Sequence, residues 1–327
     1  MVKEEILNLL KQQHGWISGE VISQQMGITR SAVWKCMKAL KEQGYHIESV
    51  TNKGYRLVSS PDVLTWGEIH PFLETRMLGQ KIYTYDQVDS TNLEARRMAE
   101  RGAPDGSLFV AETQNQGRGR LGRSWIGEPG GGIWMSLLLL PQVKPSDVSQ
   151  ITLIAGLAVC LAVRQSSGLP ALITWPNDVL IHGKKICGIL TEMSAEMTGI
   201  HYLVIGTGIN TNVEEFPEEL QEVATSLIKE LGEKVNRAEL IAACLKYFED
   251  YYEKYVAAGN LAPLKEDYEA LLLNRNNKVR VLEPGHEYTG RSLGINEEGE
   301  LLVEKEDGTV TAVYAGEVSV RGVYGYV

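Results

Sequence analysis

Three arginines stand among seven glycines in residues 117–132, "GRGRLGRSWIGEPGGG". Arg118, Arg120 and Arg123 cannot shed their protons, and each offers paired donors that match a carboxylate or a phosphate. Clustered like charges repel until an anion arrives, and a glycine-rich chain is costly to order. The chemistry expected of such a loop is that of a cationic lid closing over an anionic ligand. The first six residues also spell G-x-G-x-x-G, the fingerprint of a dinucleotide-binding turn. That turn needs a strand before it and a helix opening on its last glycine. "LFVAET" supplies the strand, but Gly122 is followed by Pro129, four more glycines and then the strand-like "IWMSLLLL". With no helix terminus to receive a pyrophosphate, the dinucleotide reading fails. A surface Arg-Gly segment that meets nothing, or nucleic acid, is the plainer alternative; the position between two apolar strands speaks against it.

Other residues could share a site with this loop. In "DSTN" (89–92), Ser90, Thr91 and Asn92 fall where a strand hands over to a helix, a place rich in free N–H groups. Thr91 and Glu94 have capping-box spacing. Gln114 ends the preceding strand. "WPNDVLIHGKKICGIL" (175–190) contributes Asn177, Asp178, Lys184, Lys185 and Gly188, the last able to let a strand backbone approach a ligand. "GTGINTN" (206–212) contributes Asn210. Trp125 is an aromatic candidate to cover a ligand. Taken singly, Lys185 is an ordinary hairpin-turn lysine, Thr91 an ordinary cap and Trp125 an ordinary core residue.

The elements that position these groups fall into three stretches. Residues 1–60 read as helix, helix, turn, helix and hairpin, the order of a winged helix-turn-helix. Ile6, Leu9 and Leu10 mark the first helix. Gly19–Gln25 fits the second, with Gly27 as its turn. Thr29 is the expected N-cap of a third helix ending near Gln43, with Gly44 as its stop. "HIESV" and "GYRLV" flank a polar tip. Ala32, Val33, Met37 and Leu40 suit the inner face of the third helix. Arg30, Ser31, Lys35 and Lys38 point outward as candidate DNA contacts, with Lys53 in the wing. Pro61 and its serines break the pattern. From residue 81 strands and helices mix: "KIYTY", "NLEARRMAERG", "SLFVAET", "IWMSLLLL", a long apolar helix over 148–166, "ALITW", "ICGILTEM", "HYLVIGTGIN", and helices over 236–258 and 262–273. From 277 short strands alternate with turns, as in a small β-barrel.

Charge and composition narrow the function. The net charge is −10 over 327 residues, yet residues 1–60 hold eight Lys and Arg against five Asp and Glu. A basic head on an acidic body is expected to meet a polyanion with the head alone. The first ten residues carry acids where a secretory leader needs a basic start, and no apolar run reaches about 18 residues. A cytoplasmic location without membrane attachment is expected. The four cysteines, Cys36, Cys160, Cys187 and Cys244, are far apart and form no C-x-x-C, so ordinary thiols are expected rather than disulfides or a zinc cluster.

Taken together, the lid, "DSTN", "WPNDVLIHGKKICGIL" and "GTGINTN" closely resemble the biotin–protein ligases. With the winged helix, the resemblance is to the bifunctional bacterial form that is also the biotin operon repressor. It implies an α+β chain with a winged helix-turn-helix at 1–60, a central mixed α/β domain of the biotin/lipoate ligase type at 61–275, and an SH3-like β-barrel at 276–327. It implies that biotin and ATP form biotinyl-5′-adenylate and pyrophosphate. A lysine of a biotin carboxyl carrier protein, of the acetyl-CoA carboxylase or pyruvate carboxylase type, then takes the biotinyl group. Arg118, Arg120 and Lys185 match the family's catalytic cations. Ser90, Thr91, Asn92, Gln114, Gly119 and Gly188, with those cations, match its biotin site. Trp125, Asn177, Asp178 and Asn210 fall to the nucleotide, and Asp178 to Mg2+. The resemblance also implies a homodimer when the adenylate is bound as corepressor, seated on palindromic operator DNA, with ordering of 117–132 and 212–226 linking the two events. Thr174 departs from the pattern, because relatives often carry lysine there. Adenylation is then expected to be slowed, or Lys184 to substitute in part. A lipoate-type ligase and a ligand-sensing transcription factor without ligase activity are the rival readings.

Overall fold

The computed structural model describes the chain except for residues 1, 14, 123, 124, 126–128, 197, 198, 283–286, 316–318 and 323–327. Arg123, the third arginine of the loop, lies outside the described residues. The chain divides into two compact units, Met1–Pro71 and Phe72–Val327.

The first unit contains α1 (Val2–Gln12), α2 (Gly19–Met26), α3 (Arg30–Glu42), β1 (His46–Val50), β2 (Gly54–Ser59) and the short α4 (Trp66–Ile69). Local chemistry sets its boundaries. The Val21 N–H donates to Ser18 Oγ at the start of α2, and Gly27 ends that helix at φ +64°. The Ala32 N–H donates to Thr29 Oγ1 at the start of α3. Ile6, Leu10, Ile22, Val33, Met37 and Leu40 close the core, while Ala32 is only half-buried. The unit runs on past the hairpin to Pro71, and the Lys11 ammonium binds both the Gly67 carbonyl (2.8 Å) and Glu68 (2.6 Å) of α4.

The second unit is built on a seven-stranded sheet. Its strands are β3 (Ile82–Val88), β4 (Leu108–Gln114), β5 (Gly132–Leu139), β6 (Leu172–Thr174), β7 (Asp178–Ile181), β8 (Lys184–Glu196) and β9 (Gly199–Asn210), in the order β3-β4-β5-β9-β8-β7-β6. β3 and β4 run parallel, joined through α5 (Thr91–Glu100); the other pairs are antiparallel. Alternation along β5 assigns the two faces. Ser136 and Leu138 face α5, whereas Met135 and Leu137 line an apolar cavity with α6 (Val148–Ser167) and α8 (Arg237–Ala258). The short α7 (Leu227–Leu231) and α9 (Lys265–Leu271) complete the helices. Five strands follow: β10 (Lys278–Leu282), β11 (Tyr288–Ile295), β12 (Leu301–Glu304), β13 (Val310–Val313) and β14 (Ser319–Gly322). They form an antiparallel sheet in the order β13-β12-β11-β10-β14.

Two expectations change. The Thr91–Glu94 capping box is absent, for Ser90 occupies the N-cap without a side-chain bond and Thr91 is the first helical residue. The helix expected over 262–273 is a 3-10 turn (Ala262–Leu264) followed by α9. Residues 145–167 are, by length and composition, apolar enough to cross a membrane; α6 occupies most of that stretch and is a core helix, since 67% of the apolar window is buried within the protein.

Burial also fixes the thiols. It pushes Cys160 and Cys244 up to about 12 and Cys187 well above the ordinary thiol value. A thiol with a pKa near 12 is about one part in ten thousand thiolate at pH 8. Iodoacetamide at that pH is expected to modify half-buried Cys36 in the native protein and the other three only in denaturant, as read by mass spectrometry. Prompt native labelling of Cys187 would contradict this packing.

Candidate active site

The floor of the site is a strip of bare backbone. Gly188 of β8 pairs with Gly208 of β9, and Gly206 lies two residues further along the same strand. A Cβ on Gly188 or Gly208 would meet the Trp125 ring at 2.7 Å, and one on Gly206 would meet Asn92 Oδ1 at 2.2 Å. Glycine is required here by close approach, not by φ. The strip forms part of an open cleft lined by Ser90, Gln114, Arg118 and Lys185.

Neutral polar groups gather along one part of the wall. The Thr91 N–H donates to Gln114 Oε1 at 2.8 Å, and its hydroxyl donates to the same oxygen at 3.1 Å. Asn92 Nδ2 donates to Glu192 at 2.7 Å, and Asn92 Oδ1 accepts from Ser136 Oγ at 2.6 Å. Ser136 also lies 2.7 Å from Thr91 Oγ1. Ser90 lines the cleft beside them.

Cations form the second group. Arg118, Arg120 and Lys185 line the same cleft, as do Gly119 and Asn177. Arg120 donates to Asn177 Oδ1 (2.8 Å) and to the Ala315 carbonyl (3.1 Å). Lys185 Nζ lies 2.8 Å from Asp178 Oδ1 and 5.2 Å from the centre of the Trp125 ring. Trp125 closes the base of the lid, its N–H donating to the Gly117 carbonyl at 2.9 Å. Its buried Nε1–H finds no acceptor among the described residues.

Two expected residues stand back from the cleft. Asn210 is buried and donates to the Thr225 carbonyl at 3.1 Å. Asp178 reaches the site through Lys185. Lys184, the expected substitute for the missing cation, donates instead to the Gln221 carbonyl at an exposed edge. Thr174 is buried in β6, and its hydroxyl has no hydrogen-bond partner among the described residues. Among the described residues no group of three His, Cys, Asp or Glu side chains could hold a metal ion.

Several supporting residues escaped the sequence reading. Ser136 is one; its signal was a lone hydroxyl inside the apolar run "IWMSLLLL". Another is Arg237, fully buried at the start of α8, which grips Glu112 (2.9 Å) and the Gly132 carbonyl (3.0 Å). The Asn212 N–H and Thr211 hydroxyl donate to the Gly131 carbonyl (2.7 and 3.2 Å), so the downstream root of the lid is tied to the end of β9. Trp175 donates its indole N–H to the Gly299 carbonyl (3.0 Å), joining the W-P-N-D segment to the β11–β12 turn. Glu230 is partly buried, which would raise its pKa; bonds from Thr225 and His182 outweigh that and hold it below the usual carboxylate value.

In the first unit Arg30, Ser31, Lys35, Lys38 and Lys53 are all exposed. Lys53 and Arg56 both stand over the Trp16 ring, at 5.8 and 5.1 Å. Arg56 and Trp16 were not among the expected contacts.

A neutral polar pocket merging into a cationic one, carried with a winged helix, defines a class: a ligand-activating enzyme fused to a DNA-binding head. The comparisons agree with that class. Residues 84–210 match the biotin/lipoate A/B protein ligase family, residues 2–56 an HTH domain and residues 276–321 the biotin protein ligase C-terminal domain. The bifunctional ligase/repressor BirA of Bacillus subtilis is 39% identical over 320 residues, covering 97% of this chain and 98% of that one. The protein of the same name from Escherichia coli is 28% identical, covering 93% of this chain and 92% of its own. The solved biotin protein ligase from Aquifex aeolicus, in complex with biotin and ATP, superposes with a TM-score of 0.67 at 32% identity, covering 74% of this chain and 99% of its own. The chain belongs to the biotin–protein ligases, in their bifunctional ligase/repressor branch.

Ser136→Ala is expected to leave buried Thr91 and Asn92 short of a partner and to lower the unfolding free energy by about 1–3 kcal/mol, measured in urea. No change would mean that the hydroxyl holds nothing in place.

Proposed function

We propose that this protein activates biotin with ATP and transfers it to a lysine of a biotin carboxyl carrier protein, and that it also represses biotin genes by binding operator DNA. The observation that carries the reading is the junction in one cleft of the neutral cluster with three cations. Biotin has an uncharged bicyclic head bearing a urea and a carboxylate tail. Ser90, Thr91, Asn92 and Gln114 suit the urea, and Trp125, whose ring lies against Gly188 and Gly208, suits the adenylate.

In the first step a carboxylate oxygen of biotin attacks the α-phosphorus of ATP. A P–O bond forms, and the bond to pyrophosphate breaks with its electron pair. Two anions must meet, so Arg118, Arg120 and Lys185 offset their repulsion. In the second step the carrier's neutral amine attacks the acyl carbon, AMP leaves with the anhydride electron pair, and the nitrogen releases a proton to solvent as the amide forms. Asn177, Asp178 and Asn210 serve the nucleotide, Asn210 by holding the 224–226 segment. Mg2+ enters on ATP. The division of labour follows the winged helix, the central domain and the terminal sheet, the last bracing the W-P-N-D segment. The protein works in the cytoplasm, and the adenylate-bound form is a homodimer on a palindromic operator.

Labelled biotin, ATP and a carrier domain test the enzyme. The wild type is expected to label the carrier, and Lys185→Ala to do so at least about a hundredfold more slowly, the scale of removing one charge-stabilising donor. Labelling of lipoate in preference to biotin would make this a lipoate-type ligase. No labelling by either form would leave a sensor.

A gel shift tests the repressor. Binding is expected to strengthen with biotin plus ATP and to weaken steeply with salt, as phosphate contacts by Arg30, Lys35, Lys38 and Lys53 require. A shift indifferent to both would reject the link.

A further inference from the structure

Helix α3 carries one large apolar side chain on its outward face. Trp34 is 57% exposed, the most exposed large hydrophobic residue of the first unit among the described residues. Val33, Met37 and Leu40 already fill the inner face, and the core closes without the indole.

A single exposed hydrophobic residue is ordinary on a protein surface. Its company is not. Trp34 stands one helical turn after Arg30 and one before Lys38, beside exposed Ser31 and Lys35. The Lys38 ammonium lies 5.9 Å from the centre of its ring, a cation–π contact that orients the indole along the helix. The face that suits a polyanion therefore has an apolar group at its centre.

Cations on phosphates fix a protein's register on a duplex but carry no sequence information. Reading falls to whatever reaches the base edges from the middle of the helix. The one apolar group that a base pair displays in the major groove is the thymine C5-methyl. We propose that Trp34 reads a thymine in each operator half-site by packing its ring against that methyl, while Arg30, Lys35 and Lys38 hold the flanking phosphates. This rests on the DNA-binding reading above and adds to it a specificity-determining residue.

The test uses the full-length protein with biotin and ATP. The wild type selects duplexes from a randomised pool, and each thymine of the selected sequence is replaced in turn by deoxyuridine, which lacks only the methyl. At one thymine per half-site the replacement is expected to weaken wild-type binding about fourfold, the worth of one buried methyl group. Trp34→Ala is expected to be indifferent to that replacement while responding to every other as the wild type does, so the double-mutant cycle closes at that base alone. Trp34→Phe should retain part of the discrimination. The side chain is exposed, so the melting midpoint of Trp34→Ala should match that of the wild type. Equal deoxyuridine penalties in wild type and Trp34→Ala at every thymine would overturn the proposal. So would a Trp34→Ala protein that binds DNA normally but no longer self-associates, which would assign the indole to a second copy of the chain. A wild type that selects no duplex would remove the DNA-binding reading itself, and this inference with it.

Discussion

The constraint on which the site depends is the holding of like charges together. Arg118, Arg120 and Lys185 share one cleft, and each needs an opposing group. Lys185 is balanced by Asp178 at 2.8 Å, the two side chains projecting from neighbouring strands of one hairpin. Arg120 is met by the oxygens of Asn177 and Ala315. The second arrangement differs in kind. A carboxylate neutralises a cation, whereas amide and carbonyl oxygens satisfy donors while leaving the positive charge in place. The cleft thus gathers three cations, two of them tethered by neighbouring oxygens.

That arrangement requires a sheet with almost no side chains at one spot. The register of β8 against β9 sets Gly188 opposite Gly208, and alternation brings Gly206 onto the same face. Trp125 can then lie flat on backbone, and Asn92 can press against Gly206 while bonding to Glu192 and Ser136. One Cβ at any of the three would displace the neutral wall or the indole. The helical face of the sheet shows the opposite economy, with α6 and α8 packing large apolar residues.

Much of this was legible in the sequence because it is local. A glycine–arginine loop, a strand-to-helix junction and a hairpin lysine each announce themselves within a dozen residues, and the end of α2 and the cap of α3 are written in Gly27 and Thr29. What could not be read depends on partners far along the chain. Ser136 meets Thr91 across 45 residues, and Arg237 meets Glu112 across 125. The capping box failed for the same reason. At a buried helix start the Thr91 hydroxyl finds Gln114 across the sheet, a partner that tertiary packing supplies and local spacing cannot show. Lys184 and Lys185 are adjacent in sequence, yet strand alternation sends one to an exposed carbonyl and the other into the cleft.

Arg120 ties two segments together, donating to the Asn177 amide oxygen and to the Ala315 carbonyl. The stretch bearing Ala315 belongs to the region following β13, and the W-P-N-D segment is pinned to the β11–β12 turn through Trp175 and Gly299. The terminal sheet thus holds a cleft residue at one point and its supporting strand at another.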